Sequence, residues 1–491
     1  MTTETNVTIG RLVEPVAGVG APPPEDGALT LRRIFRTWWP LAGSWILMAL
    51  ELPAICAVMA KLAEPKISLA AYGGIVFPLA LIIEAPIIML LAASTALAKD
   101  RQSYRLLKRF MIWTGAGLTV IHLLVALSPL YNLIVEGVIN APEEIRSAGR
   151  IGMIIMTPWT WAIAYRRLQQ GVLIRFGRSH LVGIGTIVRL LANVAILITG
   201  YVIGWLPGIA VGTAAVATGV MAEALYAGLI VRPVLRRDLP ETGTVDQALT
   251  FRKFMHFYIP LAMTSLLNFL TLPIGSAAIS RMPRALDSLA VWPVITGLTF
   301  ILRCMGLALN EVVVALLGEP LAARNLRRFA LLLSLATLLV LLVVAASPLG
   351  AIYFAVISNL VAPLALLASQ GLWFAIPLPF LGVHQNLHQG VLVHTHRTRA
   401  ITEAVAVYIA TSTVLLWLGI RHQQITGLYV ALTAAVLGNI CQVLWLWMRS
   451  RSTIDRLLHE DSGVHTPHAS PMENAGGAEG SALRPALDRL D

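Results

Sequence analysis

Apolar stretches of 20 or more residues recur along the whole chain, and each can cross a bilayer core roughly 30 Å thick. The chain is 57% hydrophobic and only 13% charged, whereas soluble domains carry about 25% charged residues. Strands of a transmembrane barrel would instead show alternating segments of ~10 residues. The sequence therefore predicts an all-α polytopic membrane protein.

Polar breaks between the apolar stretches predict twelve transmembrane helices. In chain order they cover residues 37–61, 67–97, 110–135, 151–174, 180–203, 207–231, 254–280, 288–317, 329–356, 362–393, 400–420 and 425–448. The first six are predicted to form one bundle, residues 31–232, and the last six a second, residues 251–449, with a cytoplasmic linker at 233–250. The ends, residues 1–30 and 450–491, are predicted to be disordered tails, the first without a signal peptide.

The basic residues predict the orientation in the membrane. If the N-terminus is cytoplasmic, the loops on that side hold 22 lysines and arginines and the opposite loops hold 7. Basic residues of short loops stay on the cytoplasmic side, so both termini are predicted to be cytoplasmic, in the plasma or inner membrane of the cell. The net charge of +11 is then an orientation signal and a contact with membrane lipids, and no soluble domain offers a surface for nucleic acid.

An internal repeat divides the chain into two similar halves. "WPLAGS" around Pro40 returns as "IPLAMTS" around Pro260, 220 residues later, and "LELPAI" returns as "LTLPIG" at the same spacing. "QQGVL" with Gly171 returns as "HQGVL" with Gly390, 219 residues later. Six helices per half is an even number, so both halves have the same orientation. Parallel repeats around a central cleft are typical of alternating-access carriers, although a duplicated scaffold without transport has the same pattern.

Two opposite charges lie in the middle of predicted spans, Glu84 in the second helix and Arg303 in the eighth. A charge at the bilayer centre costs about 3 kcal/mol on insertion scales, so each needs a partner, water or a function. The 220-residue offset places Glu84 opposite Cys304, at nearly the same depth as Arg303. Either the two face the cleft, where Arg303 binds an anion and Glu84 changes protonation, or they simply pair with each other or with other buried polar groups.

Other polar residues extend this candidate site. Glu51, two residues before Pro53, is the second candidate for ion coupling, although its carboxylate could instead bond backbone groups freed by the proline. Asn268 and Asn310 are predicted to contact the substrate. Glu311 is predicted to lie at the inner interface or gate.

The stretch "YRRLQQGVLIRFGRS" ends the fourth predicted helix with Arg166 and Arg167 still inside the apolar span. Long arginine side chains near a helix end can extend to the membrane interface. The two arginines are therefore predicted to anchor the helix at that interface, or to form a gate or a substrate contact. Arg189 and Glu223 are likewise predicted to serve interfacial structure.

Metal, cofactor and enzyme motifs are absent from the sequence. The three cysteines lie in separate apolar spans without disulfide or zinc spacing. His384 and His388 lie one helical turn apart, but no third metal ligand is evident, and His122 is predicted to be a buried histidine with satisfied hydrogen bonds. No HExxH, GxSxG or Walker A motif is present. Neither a metal, a cofactor nor catalysis is expected.

The paired segments "QGVLIRFGRS" and "QGVLVHTHRT" resemble the MATE-like superfamily of multidrug, oligosaccharide-lipid and polysaccharide exporters. "FYIPLA" at 257–262 and "AVWPVITG" at 290–297 make the second half similar to the progressive-ankylosis family of anion transporters. The resemblance implies export of small multivalent anions such as pyrophosphate, nucleotides or citrate, through a cleft lined by the first, second, seventh and eighth helices. Two departures make that cleft less cationic: Leu272 stands where the family has arginine, and Glu84 and Ala85 precede Pro86 in place of a glycine.

The functional expectation is a secondary active exporter that moves a small anionic solute by alternating access. Arg303 is the predicted anion contact, and Glu84 or Glu51 the site where a proton or sodium ion is coupled. The alternatives are a lipid-linked oligosaccharide flippase and a proton- or sodium-coupled multidrug antiporter.

Overall fold

The computed structural model describes residues 29–241, 249–395 and 397–461, and long helices make up most of them. We number these helices in chain order: α1 Leu31–Met59, α2 Pro65–Leu97, α3 Arg101–Leu127, α4 Glu143–Arg175, α5 Ser179–Ile203, α6 Gly208–Arg237, α7 Phe251–Ile279, α8 Ala285–Leu316, α9 Ala322–Ala346, α10 Ala362–Ala375 with Pro377–His394, α11 Arg399–His422 and α12 Gly427–Asp461. Ten of them are each long and apolar enough to cross a membrane, and α10, bent by 40°, makes an eleventh span. The twelfth, α4, has 33 residues and a less apolar sequence. The chain is therefore a multi-pass membrane protein, as predicted.

Several helix ends differ from the predicted spans. α6 continues to Arg237 and α12 continues past Arg451 to Asp461, so the linker and the C-terminal tail begin later than predicted. Hydropathy marks only the apolar part of a helix, whereas backbone hydrogen bonding continues through the polar residues beyond it. The predicted tails at 1–28 and 462–491, and residues 242–248 of the linker, lie outside the described residues.

Short helices follow α3 and α9 where the sequence predicted uninterrupted spans. The two pieces, Leu130–Ile139 and Pro348–Ile357, each follow a serine that ends the preceding long helix. The hydroxyl of Ser128 accepts a hydrogen bond from the backbone N–H of Leu130 at 3.1 Å, and that of Ser347 does the same for Leu349 at 3.3 Å. A hydroxyl that satisfies a free backbone donor starts a new helix in a new direction.

Equivalent contacts in the two halves confirm the internal repeat. Gly200 of α5 lies directly against Val211 of α6, and Gly419 of α11 lies in the same way against Val430 of α12. Both pairs are related by 219 residues, and in both a β-carbon on the glycine would collide with the valine. Other features follow the same spacing, namely the helix caps Thr30 and Thr250 and the left-handed residues Asn140 and Asn359, and Glu64 and Arg284.

The first parts of α1 and α7 each pack on the opposite half of the chain. At the end of the molecule where α1 begins, which we call the terminal end, the Trp38 indole N–H donates to the Met305 carbonyl of α8 at 3.0 Å. The Tyr258 hydroxyl of α7 donates in the same way to the Pro86 carbonyl of α2. The second part of α1 packs on α6, and that of α7 on α11. The two packed bodies therefore differ from the predicted bundles, because each takes the start of one helix from the other half.

The two bodies meet directly at the opposite end, which we call the far end. There the first part of α2, Pro65–Val76, packs on α8, and the Lys66 ammonium pairs with the Asp287 carboxylate at 2.5 Å. The Ser276 hydroxyl of α7 lies 3.5 Å from the Gly73 carbonyl of α2. Extensive packing of α2 on α8 stops after this region. The contact between the bodies is therefore direct at the far end and runs through α1 and α7 at the terminal end.

Replacing Arg281 with alanine is expected to loosen the far end. Its guanidinium donates to the carbonyls of Val138 at 2.8 Å and Ile139 at 2.9 Å, where a helix of the first half ends. Those carbonyls lack helical partners, so the arginine satisfies them and joins the two bodies. In a chain without native cysteines, a cysteine at Ser276 should react faster with a thiol reagent when Arg281 is alanine.

Arg284→Ala is the matched control, because Arg284 contacts only Asp287 of its own body, at 3.0 Å. It should leave the labelling rate of the cysteine at position 276 unchanged. Equal rates in the Arg281→Ala and wild-type backgrounds would show that this arginine does not hold the far end closed.

Candidate functional site

A group of buried ionised side chains lies inside the first body. We call it the charged cluster, and it contains Glu51, Glu84, Arg166, Arg167, Arg189 and Glu223. Its members come from α1, α2, α4, α5 and α6, which surround it. Three carboxylates face three guanidinium groups, so the cluster is electrically balanced. Buried charges are stable only when they are paired and hydrogen-bonded.

Glu223 of α6 is the centre of the cluster. Its side chain is 1% exposed and forms an ion pair with Arg166 of α4, which is 4% exposed. The Gln170 amide, one turn further along α4, donates to the other carboxylate oxygen at 2.9 Å. Arg189 of α5 lies 3.8 Å from the same carboxylate. Three helices are therefore held together through one acidic side chain.

Glu51 of α1 extends the cluster through α5. The Arg189 guanidinium contacts one Glu51 oxygen at 2.8 Å, and the Asn193 amide donates to the other at 2.6 Å. Gly219 of α6 permits this arrangement, because a β-carbon there would lie 2.6 Å from the Asn193 amide oxygen. Both oxygens of Glu51 are thus engaged by side chains rather than by the backbone near Pro53.

Glu84 of α2 has a different environment from the other two acids. It is 1% exposed, and its Oε2 atom has no hydrogen-bond partner in the described part of the chain. Its carboxylate interacts electrostatically with Arg167 and Arg166. Glu84 therefore belongs to the charged cluster, and the structure does not bring it together with Arg303.

The second body carries uncharged residues where the first has the cluster. The repeat offsets relate the cluster to Thr271, Cys304, Gln385, Asn386, Tyr408 and Gln442. Arg303 is half-buried next to Cys304, and its side chain lies against Gly382 of α10 and beside Tyr408 of α11. No carboxylate pairs with Arg303 within residues 29–241, 249–395 and 397–461. The second body thus holds an uncompensated guanidinium among neutral polar groups.

A small cavity lies beside Arg303's neighbour Tyr408. It has a volume of about 40 Å³ and is bordered by Thr271, Ser412 and Trp292 among others. That volume is room for a few water molecules. Polar atoms and space for water therefore adjoin the guanidinium.

The remaining predicted site residues lie apart from the cluster. The Asn310 amide donates to the Asn386 carbonyl of α10 at 3.2 Å, so it joins two helices of the second body. Asn268 is exposed on α7. The Glu311 carboxylate accepts a hydrogen bond from the Trp45 indole N–H at 2.9 Å and so joins α8 to the first part of α1.

Two predictions about arginines were wrong. Arg166 does not extend to the membrane interface, and Arg189 and Glu223 are buried partners rather than interfacial residues. The reason is that α4 continues as a helix to Arg175, which leaves Arg166 more than two turns inside. Gln170 and Asn193 were missed, although comparing the two halves position by position would have marked the cluster.

The predicted role of His122 is confirmed. Its Nδ1 lies 2.9 Å from the Thr160 hydroxyl and its Nε2 lies 2.9 Å from the Met153 carbonyl. In the second body, His384 and His388 contact the hydroxyls of Ser334 and Ser450, respectively. These histidines are used in packing between helices.

Comparison with known proteins identifies the fold. No protein-family model matches the chain, and no curated protein matches it in sequence. A multidrug-resistance MATE transporter of the MOP superfamily in its inward-facing conformation superposes with a TM-score of 0.68 at 14% identity, covering 86% of this chain and 98% of that one. The lipid II flippase MurJ, in an inward closed conformation, gives a TM-score of 0.62 at 14% identity over 86% of this chain and 90% of its own.

A third similar structure belongs to a MOP-superfamily transporter from Pyrococcus furiosus, described as having a binding pocket of reverse polarity. It has a TM-score of 0.59 at 14% identity and covers 88% of this chain and 97% of that one. The chain therefore has the twelve-helix MATE-like fold, as the sequence predicted. Within that class, the similarity to the progressive-ankylosis family stays a prediction.

Proposed function

We propose that the protein is a secondary active exporter that moves a small anionic solute out of the cytosol by alternating access. The solute is of the pyrophosphate, nucleotide or organic-acid class. The observation that carries the proposal is Arg303, a half-buried guanidinium without a carboxylate partner, in a body whose other equivalent positions are neutral. Because the charged cluster is balanced, Arg303 gives the interior its excess positive charge.

Arg303 can bind an anion in the way that guanidinium groups bind carboxylates and phosphates. Its planar donors form two parallel hydrogen bonds with such groups, and the interaction is stronger in a medium of low dielectric than in water. The Tyr408 hydroxyl and the small cavity beside it add polar contacts to the same place. Asn310 and Asn268 extend this surface toward the terminal end and α7.

The contacts between the two bodies support a loading state open toward the terminal end. Direct packing of α2 on α8 is confined to the far end, so an anion approaches Arg303 from the terminal end. That end is cytoplasmic in the orientation predicted from the basic residues. Movement of the first part of α1, held to α8 through Trp45 and Glu311, would close it.

Coupling is assigned to Glu84, with Glu51 as the second candidate. Both oxygens of Glu51 accept charged or amide hydrogen bonds, so a proton there would break an existing contact. The free Oε2 of Glu84 can take a proton without such a loss. Protonation of Glu84 would leave the cluster with one excess positive charge, which changes the field inside the first body.

Replacing Glu84 with glutamine is expected to abolish the effect of a pH gradient on transport while leaving anion exchange intact. The reason is that the amide keeps the shape of the side chain but cannot change its charge. The measurement is anion flux from proteoliposomes with and without a pH gradient, beside anion counterflow without a gradient. Glu51→Gln, in contrast, removes one partner of Arg189 and should mainly lower stability. A gradient effect of wild-type size in Glu84→Gln would exclude Glu84 as the coupling site.

The proposed function is tested by counterflow into proteoliposomes that contain the purified protein. Radiolabelled pyrophosphate, a nucleotide and citrate are compared with a cationic dye and with a fluorescent lipid-linked oligosaccharide. Accumulation of at least one of the three anions, and not of the dye, is expected. Transport of the dye alone would indicate a multidrug antiporter, and movement of the lipid-linked sugar alone would indicate a flippase.

A further inference from the structure

An open groove lies on the surface between α3 and the start of α7. Its volume is about 720 Å³, and it lies at the terminal end, at the depth of the loops. Nine residues line it: Gln102, Arg105, Leu106, Arg109, Phe110, Trp113, Thr114, Leu249 and Phe251. Since α3 and α7 belong to different sequence halves, the groove also lies at a boundary between them.

The lining of the groove changes from basic to apolar along α3. Arg105 and Arg109 lie one turn apart on the same side of the helix, and both are exposed. Neither forms an ion pair or a side-chain hydrogen bond with any residue that the structure describes. Trp113, another turn into the membrane, is 78% exposed, and Phe251 on the other wall is 60% exposed.

The equivalent groove in the second half is filled by the chain itself. Leu29, just before α1, is completely buried there, and its carbonyl accepts a hydrogen bond from the Asn325 amide of α9 at 2.7 Å. The repeat relates Leu29 to Leu249 and Asn325 to Leu106. Leucine cannot donate that hydrogen bond, and Leu249 is only half-buried. The sequence therefore closes one groove and leaves its counterpart open.

We propose that the open groove binds an anionic phospholipid. Arg105 and Arg109 hold the phosphate, because adjacent guanidinium groups at the membrane surface attract anionic headgroups. The acyl chain lies along Leu106, Phe110 and Trp113, where an exposed tryptophan is at the level that aromatic residues prefer in membranes. The bound lipid then contacts both walls and joins α3 to α7. This site does not depend on the transported solute.

Native mass spectrometry of the detergent-purified full chain tests this proposal. The protein is mixed with dioleoyl phosphatidylglycerol or with dioleoyl phosphatidylcholine, and bound lipid is counted as the detergent is stripped. The wild-type protein should retain phosphatidylglycerol in preference to phosphatidylcholine. The double variant Arg105→Ala and Arg109→Ala should bind the anionic lipid about tenfold more weakly or worse, because each basic residue near a membrane surface contributes about a factor of five.

The matched control is Arg324→Ala with Arg328→Ala, which removes the same charge at the equivalent positions of α9, beside the filled groove. It should retain phosphatidylglycerol as the wild-type protein does. Equal losses in both double variants would show a diffuse basic surface instead of a site. Retention in the Arg105 and Arg109 variant, or equal binding of the two lipids by the wild-type protein, would also overturn the proposal.

Discussion

Replacing Arg166 with glutamine is expected to lower the free energy of unfolding by about 3–5 kcal/mol, the usual cost of removing one partner from a buried ion pair. Glu223 would keep the Gln170 amide and the more distant Arg189 but would lose its closest guanidinium. A buried carboxylate left in this way cannot be reached by water to the extent that would compensate. Thermal unfolding in detergent, followed by tryptophan fluorescence and by size-exclusion chromatography after heating, measures the change.

The second half of the chain provides the control for this prediction. It has Gln385 and Gln442 at the positions equivalent to Arg166 and Glu223. The double variant Arg166→Gln with Glu223→Gln should therefore be more stable than Arg166→Gln alone, because it leaves two neutral amides in place of an unpaired charge. Independent sites give additive effects, so simple additivity of the two single losses would contradict the pairing.

Replacing Arg303 with alanine is expected to reduce anion transport at low substrate concentration by about 100-fold, since losing one partner of a buried charged contact costs about 2–5 kcal/mol. Lysine should restore part of the activity, because it supplies the charge without the planar pair of donors. Initial rates in proteoliposomes over a range of anion concentrations measure the effect. The change should appear mainly as weaker substrate binding.

Arg324→Ala removes an exposed arginine of α9 and serves as the control for this loss. It should transport at the wild-type rate, and its melting temperature should match those of the wild type and Arg303→Ala. Arg303 has no carboxylate that its removal would leave unpaired, so we expect folding to survive. Wild-type transport by Arg303→Ala would exclude Arg303 from the substrate path.

The helices and the repeat were predictable because both depend on local composition. Apolar length marks a span, and matched prolines and glycines at spacings of 220 and 219 mark the repeat, which the pairs Gly200–Val211 and Gly419–Val430 confirm. The ends of α6 and α12 were not predictable in this way. Polar residues continue a helix beyond the membrane without any change in the hydropathy signal.

The partners of the buried charges were not predictable from depth alone. Glu84 and Arg303 do lie at equivalent levels of α2 and α8, but hydropathy gives no information about which side of a helix a residue occupies. Glu84 faces Arg166 and Arg167 within its own body, while Arg303 faces α10 and α11. The exchange of the first parts of α1 and α7 was missed for a similar reason, because sequence halves do not have to coincide with packed bodies.

The most direct test of the proposed function is equilibrium binding of the transported anion to the protein in lipid nanodiscs. Titrations should compare the wild type with Arg303→Gln and Glu84→Gln at constant pH. We expect Arg303→Gln to lose binding and Glu84→Gln to keep it, since the substrate contact and the coupling acid lie in different bodies. If Arg303→Gln binds the anion as tightly as the wild-type protein, the assignment of the substrate site to the second body is wrong.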